Sequence, residues 1–183
     1  DRRGGRLMAL TVGVVGAAPA GAGLTSPPTV LPTTWSSVNA PNGSLENFLN
    51  DVSCTSAASC MAVGIQNNGS GGGTLTERWN GASWAIVPSA NVPTTSGDTL
   101  SSVSCVGPLF CMAVGGSSNG SVAETWSGAT NSWTLTPVVV PSGAIVASLY
   151  SVSCVSPATC ETLGWDVVSG SSSVFANQWN GTS

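Results

Sequence analysis

Short apolar runs, separated by stretches of Gly, Ser and Asn, recur three times along the chain. The clearest copy spans Leu100 to Gly115 and reads Leu-Ser-Ser-Val-Ser-Cys, then a five-residue spacer, then Cys-Met-Ala-Val-Gly. Equivalent runs begin at Leu49 and Leu149, and the first cysteines of successive copies lie 51 and 49 residues apart. Self-similarity at such a period is typical of repeat proteins, in which each repeat is one supersecondary unit.

Each copy is predicted to contain four short strands. The Val-Ser-Cys run and the Cys-x-Ala-Val-Gly run, or its third-copy variant, are the first two. The third strand ends on a tryptophan and the fourth opens on another, and a turn such as Asn80-Gly81 between them is a strong hairpin signal. These tryptophans are Trp79, Trp126 and Trp179 for the third strand, and Trp84 and Trp133 for the fourth. No long segment beyond the N-terminal residues has helical periodicity, so we predict an all-β fold with repeats at about 48–98, 99–147 and 148–183.

Four short antiparallel strands in each repeat are typical of the blades of a β-propeller. The second half of the repeat resembles the kelch motif, in which a Gly-Gly pair is followed by an aromatic residue and then by Trp. Here the pair is Gly115-Gly116, and Trp126 and Trp133 occupy the two aromatic positions. The whole repeat is also similar to that of a large group of secreted bacterial repeat proteins. This resemblance covers Trp35 to the end of the chain and implies a kelch-like propeller, without implying a particular activity.

Three repeats are fewer than the usual minimum of about four blades. Trp35-Ser36-Ser37-Val38 matches a fourth strand with no blade before it, because Trp35 precedes Cys54 by 19 residues and Trp84 precedes Cys105 by 21. The third repeat stops before its own fourth strand. We therefore interpret residues 35–183 as a partial β-propeller from a larger ring. The alternative is a complete three-repeat sandwich or small closed barrel.

The N-terminal residues have the order of a secretory signal peptide. Three arginines precede an apolar run over residues 7–18, and small residues follow. We predict a signal peptide over residues 1–23 and a Pro/Thr-rich linker over residues 24–34, and hence a secreted protein with no stable membrane insertion after cleavage. The alternatives are a buried helix or a retained membrane anchor.

Charge limits the partners that the mature chain can bind. After cleavage, the chain would have seven acidic residues and a single basic residue, Arg78, which gives a net charge of −6. A nucleic-acid backbone requires a cationic surface, so nucleic-acid binding is excluded. The same charge disfavours attraction to anionic membranes.

The six cysteines form three Cys-x5-Cys pairs, and each pair is predicted to join the first two strands of its repeat. Export to an oxidising compartment favours disulfides within repeats, each worth about 2 kcal/mol. Free buried thiols and a metal site are the alternatives, although this spacing is unlike that of zinc sites and the chain has no His. The pairs are Cys54 with Cys60, Cys105 with Cys111, and Cys154 with Cys160.

Six of the seven tryptophans recur at fixed repeat positions, which favours packing between blades over stacking on sugar rings. Trp165 differs, since the other copies have Ile65 and Gly116 at its position. It lies near loops that vary between copies, and a site for a single ligand must be asymmetric. The alternative is that these loops vary because nothing constrains them. The candidate ligand-binding residues are Trp165, Asp166, Gln66, Asn67, Asn68 and Asn119.

Glu77 and Glu124 occupy one repeat position, where the third copy has Asn177, and this favours a structural hydrogen-bonding role over an acid/base pair. No catalytic residue, metal or cofactor is predicted. The sequence thus favours a secreted, non-catalytic propeller that binds an extracellular protein or glycan. The alternatives are the propeller part of an extracellular carbohydrate-active enzyme and a surface-structural element without a specific ligand.

Overall fold

The computed structural model describes residues 36–41, 46–67, 72–92 and 97–182, and these contain eleven β-strands and no helix. The strands are β1 (Glu46–Ser56), β2 (Ser59–Asn67), β3 (Gly73–Trp79), β4 (Trp84–Val87), β5 (Thr99–Gly107), β6 (Phe110–Ser117), β7 (Gly120–Ser127), β8 (Ser132–Leu135), β9 (Ala144–Ser156), β10 (Thr159–Val168) and β11 (Ser171–Trp179). The predicted all-β class is therefore confirmed. No described segment is a helix long and apolar enough to cross a membrane.

Each repeat forms one antiparallel sheet whose neighbouring strands are consecutive in the chain. Sheet 1 has the order β1-β2-β3-β4, sheet 2 the order β5-β6-β7-β8, and sheet 3 the order β9-β10-β11. The predicted four strands are present in the first two sheets, and the third has three. Residues 36–41 form no regular element, and residues 1–35 lie outside the described part of the chain. The signal peptide, the linker and the assignment of residues 35–38 to a fourth strand thus stay predictions.

The glycine that ends each Cys-x-Ala-Val-Gly run lies beside an irregularity in the first strand. The register shifts after Leu49 and after Leu100, at the positions opposite Gly64 and Gly115. A Cβ atom on Gly115 would lie 2.0 Å from the carbonyl oxygen of Thr99, and one on Gly64 would lie 1.8 Å from that of Phe48. Only glycine permits this close approach of two backbones, which explains why the residue is repeated.

The three predicted disulfides are confirmed. Each joins residues directly opposite each other on the first two strands of a sheet, with Cα atoms 3.9 to 4.0 Å apart. No free cysteine remains among the described residues. The bonded pairs are Cys54–Cys60, Cys105–Cys111 and Cys154–Cys160.

Successive sheets pack face to face and form two hydrophobic cores. We call the face that a sheet turns toward the preceding sheet its incoming face, and the face toward the following sheet its outgoing face. In the first core, Met61 and Val63 on the outgoing face of sheet 1 pack with Leu100, Val103 and other residues of sheet 2. The second core joins sheet 2 to sheet 3 through Met112, Val114, Ala123, Leu149, Val152 and Cys160.

The serine of Val-Ser-Cys joins each sheet to the next. Ser53 Oγ accepts the backbone N–H of Cys105 at 3.0 Å, and Ser104 Oγ accepts that of Cys154 at 2.9 Å. Two residues before each of these serines, a second side chain also accepts a backbone N–H from the next sheet. Asp51 Oδ2 accepts that of Val103 at 2.9 Å, and Ser102 Oγ accepts that of Val152 at 3.4 Å. The first strands β1, β5 and β9 are therefore neighbours, connected by side-chain-to-backbone bonds that repeat at the period of the sequence.

Candidate functional site

Gln66 and Asp166 occupy equivalent repeat positions, and each makes a local contact with its own hairpin. Gln66 Nε2 donates to the carbonyl of Thr74 at 3.1 Å, and Ser173 Oγ donates to Asp166 Oδ1. Ser117, the corresponding residue of sheet 2, accepts the N–H of Asn119 at 3.1 Å. These contacts order the connection between the second and third strands of each sheet. The repeat position of Gln66, Ser117 and Asp166 therefore stabilises this connection in every copy.

Trp165 and Asp166 are neighbours on β10, and their side chains lie on opposite faces of sheet 3. Burial alternates strictly along Cys160 to Asp166, and Asp166 is only 1% exposed, on the incoming face. Trp165 is half-buried on the outgoing face, where it pairs across the strands with Val174, which is 87% exposed. The geometry therefore separates these two predicted site residues.

Of the remaining predicted residues, Gln66, Asn67 and Asn119 lie at the sheet end where second strands lead into third strands. Gln66 and Asn67 line an open groove of about 290 Å³ together with Glu46, Phe48 and Ile65, and the Phe48 side chain is 62% exposed. Asn68 lies outside the described residues.

Asn119 lines a second groove, of about 210 Å³, between the β6–β7 turn and the start of β9. Exposed Val140, Ile145 and Val146 share this groove, and Ile145 is 73% exposed. Sequence reasoning found the amide side chains of both grooves and missed their apolar partners. The signal was present, since Phe48 stands where the other copies have Thr99 and Ser148.

Glu124 is fully buried, and its carboxylate is surrounded by donors from sheet 1 and the connection that follows it. It accepts from Thr74 Oγ1 at 3.1 Å, from Ser89 Oγ at 2.7 and 2.9 Å, and from the N–H of Ala90 at 3.1 Å. In sheet 3, Asn177 Nδ2 donates to the carbonyl of Val139 at 2.8 Å. The predicted structural hydrogen-bonding role is therefore confirmed for Glu124 and Asn177.

Glu77 occupies the same position in sheet 1, with a different environment. Its side chain is 1% exposed, and its Oε2 atom has no hydrogen-bond partner among the residues that the structure describes. Burial of this carboxyl raises the pKa of Glu77 above its ordinary value of 4.5, because desolvation disfavours the charged form.

The tryptophans pack as cross-strand pairs within the sheets. Trp79 faces Trp84, and Trp126 faces Trp133, with ring centroids 5.7 Å apart in both pairs. Trp126 and Trp133 are 1% and 5% exposed within the first core, so the predicted packing role is confirmed for this pair. Arg78 of sheet 1 lies over the Trp126 ring at 5.9 Å, which adds a cation–π contact between sheets.

Comparison with known proteins does not assign the chain to a family. No protein-family model matches the chain, and no curated protein is similar to it. Within the described ranges, no cluster of three or more His, Cys, Asp or Glu side chains lies close enough to hold a metal ion. The predicted site residues that line grooves are Gln66 and Asn67 in sheet 1 and Asn119 between sheets 2 and 3.

Proposed function

We propose that the chain is a secreted, non-catalytic β-propeller module that binds an extracellular protein or glycan. Support for the propeller comes from three equivalent antiparallel sheets that pack face to face, with β1, β5 and β9 as neighbours. Radial repetition of four-stranded sheets around a central axis is the propeller plan. Three disulfides on the repeated hairpins support an oxidising, extracellular location.

One observation carries the binding proposal. The scaffold repeats closely between sheets, whereas the two grooves differ in composition and each pairs amide groups with exposed apolar side chains. Phe48 lies beside Gln66 and Asn67, and Ile145 lies beside Asn119. An apolar surface that orients a ligand through a few polar groups is the usual composition of a binding site. Uncharged amides suit the hydroxyl groups of a glycan or the backbone of a peptide equally well.

The non-catalytic part of the proposal rests on the use of the buried acids. Three donors from sheet 1 and the following connection, the hydroxyls of Thr74 and Ser89 and the N–H of Ala90, contact the Glu124 carboxylate, so it links two sheets. Asp166 is turned into the interior and bonded to Ser173. Neither carboxylate lines the grooves. Glu46 is the one acid among the described residues that line the Phe48 groove, and no second carboxylate lies with it there to form an acid/base pair.

A glycan array and a panel of extracellular matrix proteins test the proposal on the full chain. Phe48→Ala and Ile145→Ala should each weaken binding of a retained ligand by roughly tenfold, since each removes an apolar contact at its groove. Leu109→Ala is the matched control, because Leu109 is 65% exposed in the β5–β6 turn at the other end of the sheets. If Leu109→Ala alone abolished binding, the ligand would bind at the opposite end of the sheets and the proposed grooves would be wrong. Cleavage of an arrayed glycan would contradict the non-catalytic assignment.

A further inference from the structure

The groove that Asn119 lines has one polar wall and one aliphatic wall. The polar wall comes from the β6–β7 turn and the start of β7, and it consists of Asn119, Gly120 and Ser121. The aliphatic wall comes from the connection before β9 and from β9 itself, and its larger side chains are Val138, Val140, Ile145 and Val146. The Asn119 groove therefore lies between sheets 2 and 3, which already pack against each other through the second core.

The polar wall has hydrogen-bonding groups that the described residues leave unused. Ser121 Oγ is buried and has no hydrogen-bond partner among the described residues. Asn119 is exposed, and only its backbone N–H is bonded within the described part of the chain, so its side-chain amide is available. A buried polar atom without a partner is unfavourable, so a ligand group that bonds to Ser121 Oγ gains binding free energy.

The space beside Ser121 follows from its neighbour on β6. The cross-strand partner of Ser121 is Gly116, whereas sheets 1 and 3 have Ile65 and Trp165 at the position of this glycine. No side chain of β6 therefore fills the space beside the Ser121 hydroxyl.

A β-bulge places an aliphatic side chain at the opposite wall. Val146 and Ala144 of β9 lie opposite consecutive residues of β10, so Ile145 between them is an extra, bulged residue. Its side chain is 73% exposed. A bulge re-aims a side chain and disrupts the local ladder of backbone hydrogen bonds, so this edge is poorly suited to pairing with an added peptide strand. The wall therefore offers methyl groups to a ligand, and this favours a glycan over an extended peptide.

The composition of the groove limits the ligand group further. None of the described residues that line it is charged, so an ionic group would lose its hydration without gaining a counter-charge. None of them is aromatic, so the groove has no flat surface for the face of a sugar ring. A neutral group fits if it has a methyl on one side and a hydrogen-bond donor and acceptor on the other.

We infer that the Asn119 groove binds the acetamido group of an N-acetylated sugar in an extracellular glycan. The methyl group packs on Ile145 and Val140, the carbonyl oxygen accepts from the Asn119 side-chain amide, and the N–H donates to Ser121 Oγ. The groove volume of about 210 Å³ is below the range of roughly 300–1,000 Å³ that holds a whole drug-sized ligand, as expected for a site that takes one sugar substituent. This inference rests on the proposed binding function and names the ligand class for one of its two grooves.

Isothermal titration calorimetry with three matched trisaccharides tests the ligand class on the full, disulfide-bonded chain. The β-1,4-linked trimer of N-acetylglucosamine should bind at least roughly tenfold more tightly than the trimers of glucosamine and glucose, because these lack the methyl and the amide carbonyl. Equal binding of the glucose trimer would overturn the acetamido assignment and leave the glycan-binding function intact. Absence of binding by the acetylated trimer would also overturn it, whether or not a glycan array showed another ligand.

A peptide that carries N-acetyllysine presents the same acetamido group from a protein. It should bind at least roughly tenfold more weakly than the acetylated trimer, since the inferred ligand is a sugar. Equal or tighter binding of this peptide would overturn the assignment to a glycan.

Variants of the two walls test the location of the site. Ser121→Ala and Ile145→Ala should each weaken binding of the acetylated trimer by roughly five- to tenfold, since each removes one contact with the acetamido group. Ser118→Ala is the matched control, because Ser118 is exposed in the same turn and does not line the groove. Far-ultraviolet circular dichroism checks that each variant is folded.

The pattern of losses separates this inference from the function on which it rests. If Ser121→Ala and Ile145→Ala bound the acetylated trimer as tightly as the natural chain, the acetamido group would not lie in the Asn119 groove and the inference would be wrong. Loss of binding with Phe48→Ala alone would place the glycan in the other groove, so the proposed function would stand without this inference.

Discussion

Sheet 2 packs against a neighbouring sheet on both faces, whereas sheets 1 and 3 each pack against a described sheet on one face only. The hairpin register and the disulfide are the same in all three, yet equivalent side chains differ widely in burial: Val114 is 0% exposed and Leu163 is 58% exposed. Strand formation is therefore set by the local repeat, and burial is set by the neighbouring sheet. This is the behaviour expected of repeat proteins, whose stability is a sum of repeat and interface terms.

The largest expected difference in the free energy of unfolding is between variants of two tryptophans at equivalent repeat positions, one fully buried and the other half-buried. Trp126 is buried in the core between sheets 1 and 2, so Trp126→Ala should lower the free energy of unfolding by about 4 kcal/mol. Trp179 is half-buried and partly packed in the second core, so Trp179→Ala should cost about 2 kcal/mol. Urea unfolding followed by circular dichroism gives both values, and equal losses would show that coverage does not govern stability.

A second comparison uses the position shared by Glu124 and Asn177. Glu124→Ala leaves the hydroxyls of Thr74 and Ser89 without their buried acceptor, so a loss of about 3 kcal/mol is expected. Asn177 makes one bond, to the carbonyl of Val139, and Asn177→Ala should cost about 1 kcal/mol. Combining Glu124→Ala with Ser89→Ala should cost less than the sum of the two single changes, because the residues share one network. Simple additivity would contradict the linking role of Glu124.

Sequence alone was sufficient for the parts of the fold that are local. The Cys-x5-Cys spacing and the repeated apolar runs predicted the hairpins, the disulfides and the four-strand order, because each depends on residues close together in the chain. The equivalence of Glu77, Glu124 and Asn177 also predicted hydrogen bonding correctly for Glu124 and Asn177, although not for Glu77. These successes share a cause, since a residue repeated in every copy has the same local surroundings in every copy.

The features that sequence did not reveal depend on neighbouring sheets or on strand faces. Asp166 follows Trp165 directly, and the pair was predicted as one site, yet alternation along β10 turns the two side chains to opposite faces. The serine of Val-Ser-Cys is visible in the sequence as a repeated residue. Its role as a hydrogen-bond acceptor for the next sheet becomes visible only when β1, β5 and β9 are packed side by side. The grooves likewise combine residues from different strands and connections.

The three disulfides should make similar contributions to the free energy of unfolding. Each bond closes a loop of the same length, so the chain-entropy model predicts a loss of about 2 kcal/mol for each paired Cys→Ala replacement. Burial adds a cost in sheets 2 and 3, because Cys111 and Cys160 are 3% and 0% exposed, whereas in sheet 1 Cys54 is exposed and Cys60 is half-buried. Urea midpoints for the three double variants measure the difference. A larger loss from the Cys54/Cys60 pair than from the Cys105/Cys111 pair would contradict this order.

The smallest expected effect comes from Glu77, a buried acid of sheet 1. Burial raises the pKa of Glu77 in the folded state above its unfolded value, so the folded protein holds this proton more tightly. Its stabilising contribution is complete below the unfolded pKa, and it is lost as the pH rises through the folded pKa. Glu77→Gln keeps the shape and removes the titration, so this variant should be more stable than the natural chain at neutral pH. Urea midpoints measured from acidic to neutral pH should show a gap between the two proteins that narrows as the pH falls. A gap that stays constant with pH would mean that the Glu77 carboxyl is as well accommodated when charged as when protonated, and that its burial does not disfavour its charge.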